Sequence, residues 1–439
     1  MKQYSDLAER WMQEYLRIDT TNPPGNEARA TAWMKKIFDA EGIQNRAFNL
    51  APGRDLLWAK VSASSASKKR PIILLNHTDV VTSDPSHWTH PPFSGEVANG
   101  VMYGRGAQDM KNEGLAELVV MVMLNREKPP IDRDVIFIAT PDEEVNSLGA
   151  DWVMNGHTDL LENAEFLINE GGENVEEDGK MRYVGVNVAE KAPDWLHLVA
   201  HGTPGHGSRP MPDSAPNRLV RALNRVLAWE QPLSLQPTVE QFLRRMAALQ
   251  TGERVAWFRD PPAAMKDPKF RAWVRSDREL GYMFHDTISL TMMGGSLQTN
   301  VIPPDAWANV DIRLLPGQDP ARFEAELKKV INDPSITFEH IGAFHKPNSS
   351  SIDTALFRAI EAVSGRYFSG GIVLPKMSSG YNETQRYREV GIVSYGFCPY
   401  SATEAEIETA HANDERIRVE QLRRGPRVLY DVVTVVGSD

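Results

Sequence analysis

Three short apolar runs, at residues 72–75, 135–140 and 166–168, are each followed by groups able to hold a metal ion. His77 follows the first, Glu143 and Glu144 the second, and Glu170 the third. Continuous apolar runs bounded by turn formers fit strands buried on both faces, the condition of parallel strands covered by helices. A helical pattern at 115–124 lies between the first two runs. In open α/β sheets the loops beyond the strands' C-terminal ends carry ligands. The expected fold is therefore α/β, with a mostly parallel central sheet flanked by helices and its ligands gathered along one rim.

At 439 residues the chain is longer than one hydrophobic core usually supports, so two domains are expected. Helical spacing at 5–17 and 28–41 brackets a dense cluster of turn formers at 19–25. The pattern changes near Pro193. A strand-like run from Trp195, a turn-rich loop at 202–210, a helix near 217–229, a long charged stretch, and strands at 287–293 and 306–314 follow without βαβ alternation. That reads as a smaller α+β domain, 194–315, inserted into a catalytic domain made of 1–193 and 316–439, with Pro316-Gly317 as the return point. Helices at 320–331 and 354–364, a strand at 393–397 and a segment from Val419 complete the chain.

Composition narrows the function. A net charge of -11 argues against a general nucleic-acid footprint. No stretch approaches the roughly 20 apolar residues of a membrane span. The N-terminus reads as an amphipathic helix and not as a signal peptide, so a cytoplasmic protein is expected unless a signal has been removed. The one cysteine, Cys398, excludes an intramolecular disulfide and reads as a buried structural thiol.

The chemistry-bearing residues are carboxylates and histidines, the donors that zinc and similar divalent ions accept. Two ions about 3.5–4 Å apart need a shared carboxylate, and Asp109, centred in Gly-Arg-Gly-Ala-Gln-Asp-Met-Lys, is the candidate bridge. In His77-Thr-Asp79 the two side chains share one side of an extended segment, so Asp79 can receive a proton from His77 and fix the tautomer of a ligand. Adjacent acids at 143 and 144 can divide labour, one binding a metal and the other taking a proton from water. Glycines after Glu170 let backbone pass close to an ion. His411, in Ala-His-Ala-Asn-Asp-Glu, is the remaining imidazole of the set.

As an ordered set, Asn-His-Thr-Asp, Gly-Arg-Gly-Ala-Gln-Asp-Met-Lys, Pro-Asp-Glu-Glu, Asn-Glu-Gly-Gly and Ala-His-Ala-Asn-Asp-Glu resemble the di-zinc metallopeptidase family of carboxypeptidase G, aminoacylase, acetylornithine deacetylase and succinyl-diaminopimelate desuccinylase. The resemblance covers nearly the whole chain. It implies two Zn²⁺ per chain, replaceable by Co²⁺ or Mn²⁺, with Asp109 bridging, His77 and Glu170 completing one site, and Glu144 and His411 the other. It makes Glu143 the general base toward a metal-bridging water. It also implies a cis bond between Asp109 and Met110.

By the same resemblance the inserted segment is a lid or dimerisation domain. Gly-Thr-Pro-Gly-His206-Gly-Ser-Arg-Pro matches a loop whose histidine stabilises the tetrahedral oxyanion, commonly in the partner subunit of a homodimer. Asn300 matches a substrate contact, and Arg313 a carboxylate-binding arginine, a task suited to a guanidinium fork. Residues 378–384 depart from the family's Gly-Thr-Asp type of loop, which bears on substrate identity. The implied activity is hydrolysis of amide bonds in short peptides, as exopeptidase, dipeptidase or carboxypeptidase, or in N-acyl amino acids. A non-catalytic protein that binds an amino-acid derivative is the reading from a different class.

Overall fold

The computed structural model describes residues 2–64, 69–342 and 344–438. The chain forms two compact units, one of Met1–Val188, Ser350–Lys376 and Asn382–Asp439, the other of Ala189–Ser349 and Met377–Tyr381.

In the first unit the expected strands lie side by side. Arg133–Thr140, Lys69–His77, Phe166–Asn169 and Val393–Gly396 are consecutive and parallel. The outer strands make the sheet mixed: Arg54–Val61 joins Arg133–Thr140 antiparallel, and Gln44–Ala51 continues that edge. Alternation within each central strand explains the unbroken apolar runs. Ile72, Leu74, Val135, Phe137 and Ala139 enter one core, and Ile73, Leu75, Ile136 and Ile138 enter another on the opposite face. Among the residues sharing the first core are Tyr15, Phe38, Val119, Ile360 and Val433, from five helices. One of these helices, Lys111–Glu127, is buried at every position through Leu124, which accounts for its apolar character all round.

The second unit is built on a four-stranded antiparallel sheet in the order Thr287–Gly294, Asp305–Leu314, Ala192–His201, Ile336–Ile341. Helices Ala215–Leu227 and Pro320–Ile331 contribute Leu219, Leu223, Phe323 and Leu327 to a core with Leu196, Leu198, Val310 and Ile312. The expected return to the first domain at Pro316-Gly317 is corrected here. Residues 316–349 stay in the second unit because Ile336–Ile341 pairs with Ala192–His201, from Ala200 opposite Ile336 to Trp195 opposite Ile341. The charged stretch before Thr287 folds as helices, including Pro237–Met246 and Pro268–Ser276, with Trp257, Phe258, Phe270 and Trp273 packed together.

Candidate metal centre

His77 is the last residue of its strand and pairs in register with Thr140, the last residue of the neighbouring one. The loops after both strands, and after Asn169, therefore start from one sheet rim. After Thr140 the chain turns at Asp142, whose φ of 70° is left-handed, and presents Glu143 and Glu144.

Asp109 joins the two imidazoles. Its Oδ1 is 3.1 Å from Nε2 of His77, and its Oδ2 is 3.1 Å from Nε2 of His411. Oε1 of Glu144 is 3.3 Å from the same His411 nitrogen, and Oε2 of Glu170 is 3.7 Å from His77 Nε2. Potential donor atoms of His77, Asp109 and Glu144, and of His77, Glu143 and Glu170, lie within 4.8 Å of one another in each group. The Asp109–Met110 peptide is cis.

Buried carboxylates hold the loops from behind. Asp79 accepts the backbone N–H groups of Glu143 and Glu144, each at 3.1 Å, through Oδ1 and Oδ2 respectively. Its part toward His77 differs from the sequence expectation. Nδ1 of His77 is 3.1 Å from the Asp79 backbone carbonyl and 3.6 Å from its carboxylate, so the carbonyl is the nearer acceptor and orients the ring. Glu415, which the sequence reading passed over, does the corresponding work for Asp109. Its two oxygens accept the backbone N–H groups of Gly106, Gln108 and Asp109, and Arg105 pairs with it at 2.7 Å. Its signal was the acid at the end of the His411 motif, indistinguishable in sequence from a solvated loop acid.

The electrostatics fit a cation site. Burial opposes charge on His77, but Asp109, Asp79 and Glu170 outweigh it and hold its pKa well above the imidazole range. Hydrogen bonding to Asp109 and Glu144 pushes His411 up to about 10. Burial acts to raise Asp109, yet His411 and His77 hold it well below the usual carboxylate range. Burial, followed by the charge of Asp109, pushes Glu170 up to about 7. Burial and Glu170 also push Glu143 well above the carboxylate range. Protons on two histidines thus neutralise clustered acids, a charge that divalent cations supply when they displace those protons. Buried Oε1 of Glu144 meets the His411 imidazole at 3.3 Å and accepts from no other group, which suits it to be a ligand atom. The oxygen and imidazole donor set suits Zn²⁺, Co²⁺ or Mn²⁺.

A recess of about 780 Å³ adjoins Asp109 and Glu170, with Tyr400, Ile407 and Ile417 among its walls. Cys398 also faces it and is half-buried, with its thiol pushed up by burial. The departing loop divides between the units. Its Glu383 is buried, accepts from Thr140 Oγ1 at 2.7 Å and the Ala150 N–H at 3.2 Å, and is pushed up to about 8 by burial.

The other expected site residues lie in the second unit. His206 is exposed on a two-residue strand paired with Val301–Ile302. Its Nδ1 accepts the Ser208 N–H at 3.1 Å, which leaves Nε2–H as the donor of the neutral ring. The Asn300 carbonyl accepts the Gly207 N–H at 2.7 Å, so these two expected residues share one loop pair. Arg313 forks onto Asp311 in its own strand, at 2.7 and 3.1 Å.

Residues 73–435 match the family model described as peptidase family M20/M25/M40. The chain is 26% identical over 435 residues to aminoacylase-1B of Rattus norvegicus, covering 97% of this chain and 94% of that one. Among solved structures it resembles the M20 family metallo-carboxypeptidase Sso-CP2 of Sulfolobus solfataricus, with TM-score 0.71, 19% identity, and coverage of 98% of this chain and 99% of that one. It also resembles human carnosine dipeptidase 1, with TM-score 0.67, 14% identity, and coverage of 100% and 99%.

Proposed function

The chain belongs to peptidase family M20/M25/M40, and from that membership and its metal-binding cluster we propose a two-zinc hydrolase that frees amino acids from N-acyl amino acids or short peptides. The observation carrying this reading is the Asp109 carboxylate, with one oxygen toward His77 and the other toward His411. In the proposal Asp109 is shared, His77 and Glu170 serve one ion, and Glu144 and His411 serve the other. When bound, the ions polarise the scissile carbonyl and make water acidic enough to be deprotonated near neutral pH.

Glu143 takes the proton from the attacking water and returns it to the leaving amine. Its burial favours that exchange, because a carboxyl group raised above the ordinary carboxylate range is the better proton acceptor. Asp79 holds the peptide that carries Glu143. His206, with its Nε2–H free, is assigned to the developing oxyanion, acting on the site of a partner copy. Asn300 and Arg313 are assigned to the substrate and its carboxylate, for which Arg313 exchanges its hold on Asp311.

Supporting a homodimer are the apolar side chains on the second unit's edge strand and helix. Met292 and Met293 on Thr287–Gly294 are 55% and 57% exposed, and Val220 and Leu227 on Ala215–Leu227 are 56% and 65% exposed. Among the described residues no helix is long and apolar enough to cross a membrane.

Between the two substrate classes, the near full-length match to an aminoacylase favours N-acyl amino acids. Exopeptidase action, the leading expectation from the sequence, becomes the second reading, since the same metal and base groups cleave either amide. Zinc-loaded protein should release amine from a panel of N-acetylated amino acids faster than from the corresponding dipeptides. The reverse ranking selects the peptidase, and binding without turnover of any compound selects a non-catalytic binder.

A further inference from the structure

We propose that Arg54 and Asn22 are positioning residues for the general base, acting through Asp79 and Asp142. The proposal rests on the role given above to Glu143. Arg54 stands on the strand Arg54–Val61, and Asn22 in the turn-rich segment between the first two helices. Neither segment carries a candidate ligand.

Arg54 determines how Asn22 faces. Its Nη2 donates to the Asn22 side-chain oxygen at 2.7 Å and to the Pro24 carbonyl at 2.7 Å. Its Nη1 pairs with Asp142 at 2.7 Å and with Glu27 at 3.1 Å. With its oxygen engaged by the guanidinium, Asn22 directs its amino group at two carboxylates, Asp79 Oδ2 at 2.8 Å and Asp142 Oδ1 at 2.7 Å. The opposite orientation would set its NH₂ against Arg54 and its oxygen against both acids. A single amide thus separates two buried acids that would otherwise repel each other.

Those acids are the two supports of the Glu143 peptide. Asp79 accepts its N–H and the next one. Asp142 precedes it in a left-handed conformation unfavourable for a side-chain-bearing residue, so its contacts to Arg54 and Asn22 help hold that turn. The path Arg54, Asn22, Asp79, Glu143 links a guanidinium to the base without touching substrate. A base displaced by a fraction of an ångström loses rate while the substrate-binding groups stay in place.

The test compares Arg54→Ala and Asn22→Ala with wild type and with Trp58→Leu, a core change in the same strand that serves as a stability control. Expected for both variants is a kcat lower by about tenfold or more, with KM changed by less than about threefold. Zinc affinity of the apo-protein, measured by calorimetry, should weaken by about 10–100-fold, because Glu144 shares the Asp79 support. Millimolar guanidinium, but not methylammonium at equal ionic strength, should restore kcat to Arg54→Ala and not to Asn22→Ala. If the alanine variants fail to fold, Arg54→Gln and Asn22→Ser carry the same measurements. The proposal is overturned if kcat and zinc affinity merely track melting temperature as in the control, or if guanidinium restores nothing. Should wild type show no amide hydrolysis, the functional reading fails, and zinc affinity with its guanidinium rescue still decides whether the path positions the loop.

Discussion

The backbone N–H of Glu143 donates to Oδ1 of Asp79 at 3.1 Å, joining loops that follow two adjacent strands. The same carboxylate receives the Glu144 N–H and the Asn22 amide, so it organises the peptide that bears both the proposed base and a proposed ligand. Asp79→Asn replaces one acceptor oxygen by a donor facing other donors. Activity and zinc affinity should each fall by about 10–100-fold, measured by steady-state kinetics and chelator competition. An unchanged zinc affinity would separate Asp79 from the support of Glu144.

Glu143→Gln keeps the volume of the side chain and removes its proton acceptor. Zinc content by elemental analysis should remain near that of wild type while kcat falls by about 10²–10⁴-fold. Wild-type turnover in this variant would remove Glu143 from the mechanism.

Chelation tests the charge balance of the metal cluster. Divalent ions and protons compete for the same histidines, so stripping metal with a chelator should abolish turnover and zinc should restore it. Uptake of zinc by apo-protein in weakly buffered solution at pH 7 should release protons, because Asp109 and Glu144 push His411 up to about 10. Zinc binding without proton release, followed by a pH indicator, would place the metal elsewhere.

A pH effect on stability is expected in the second unit. Lys191 donates to the Tyr282 and His285 carbonyls and the Thr287 hydroxyl at 2.9–3.2 Å, yet burial pushes its pKa down to about 7. The folded pKa is depressed below the unfolded lysine value, so between about pH 7 and 10.4 the unfolded chain binds more protons and stability rises with pH. The limiting slope is about 1.4 kcal/mol per pH unit. Lys191→Met should lower stability by removing the three hydrogen bonds and should also lose that slope. Melting curves at pH 7 and 9 check it, and equal slopes in both proteins would show that the three acceptors keep the ammonium charged.

The shared-site reading of His206 is tested by mixing inactive subunits. A dimer of Glu143→Gln and His206→Ala chains holds one intact set if the histidine acts across the interface. Hybrids shown by native mass spectrometry to have exchanged subunits should regain activity, up to half that of wild type per dimer. No recovery would place His206 at the site of its own chain.

The central sheet and the rim of the candidate site are legible in the amino-acid order alone. Strands buried on both faces must be continuously apolar, so the points where polarity resumes, at His77, Glu143, Glu144 and Glu170, mark strand ends without knowledge of the neighbours. Tertiary structure alone decided which distant segments complete that rim. Asn22, Arg54 and Glu415 carry no local signal, since a polar residue in a turn, a charge at a strand start and an acid in a loop usually face solvent. Their roles arise from hydrogen bonds across long sequence separations. The extent of the second unit was hidden for the same reason: Ile336–Ile341 has four exposed residues and little apolar pattern, and its place was set by pairing with Ala192–His201. Local periodicity records burial by neighbouring turns and strands. A strand's partner, and a buried carboxylate's donors, depend on chain closure that no short stretch encodes.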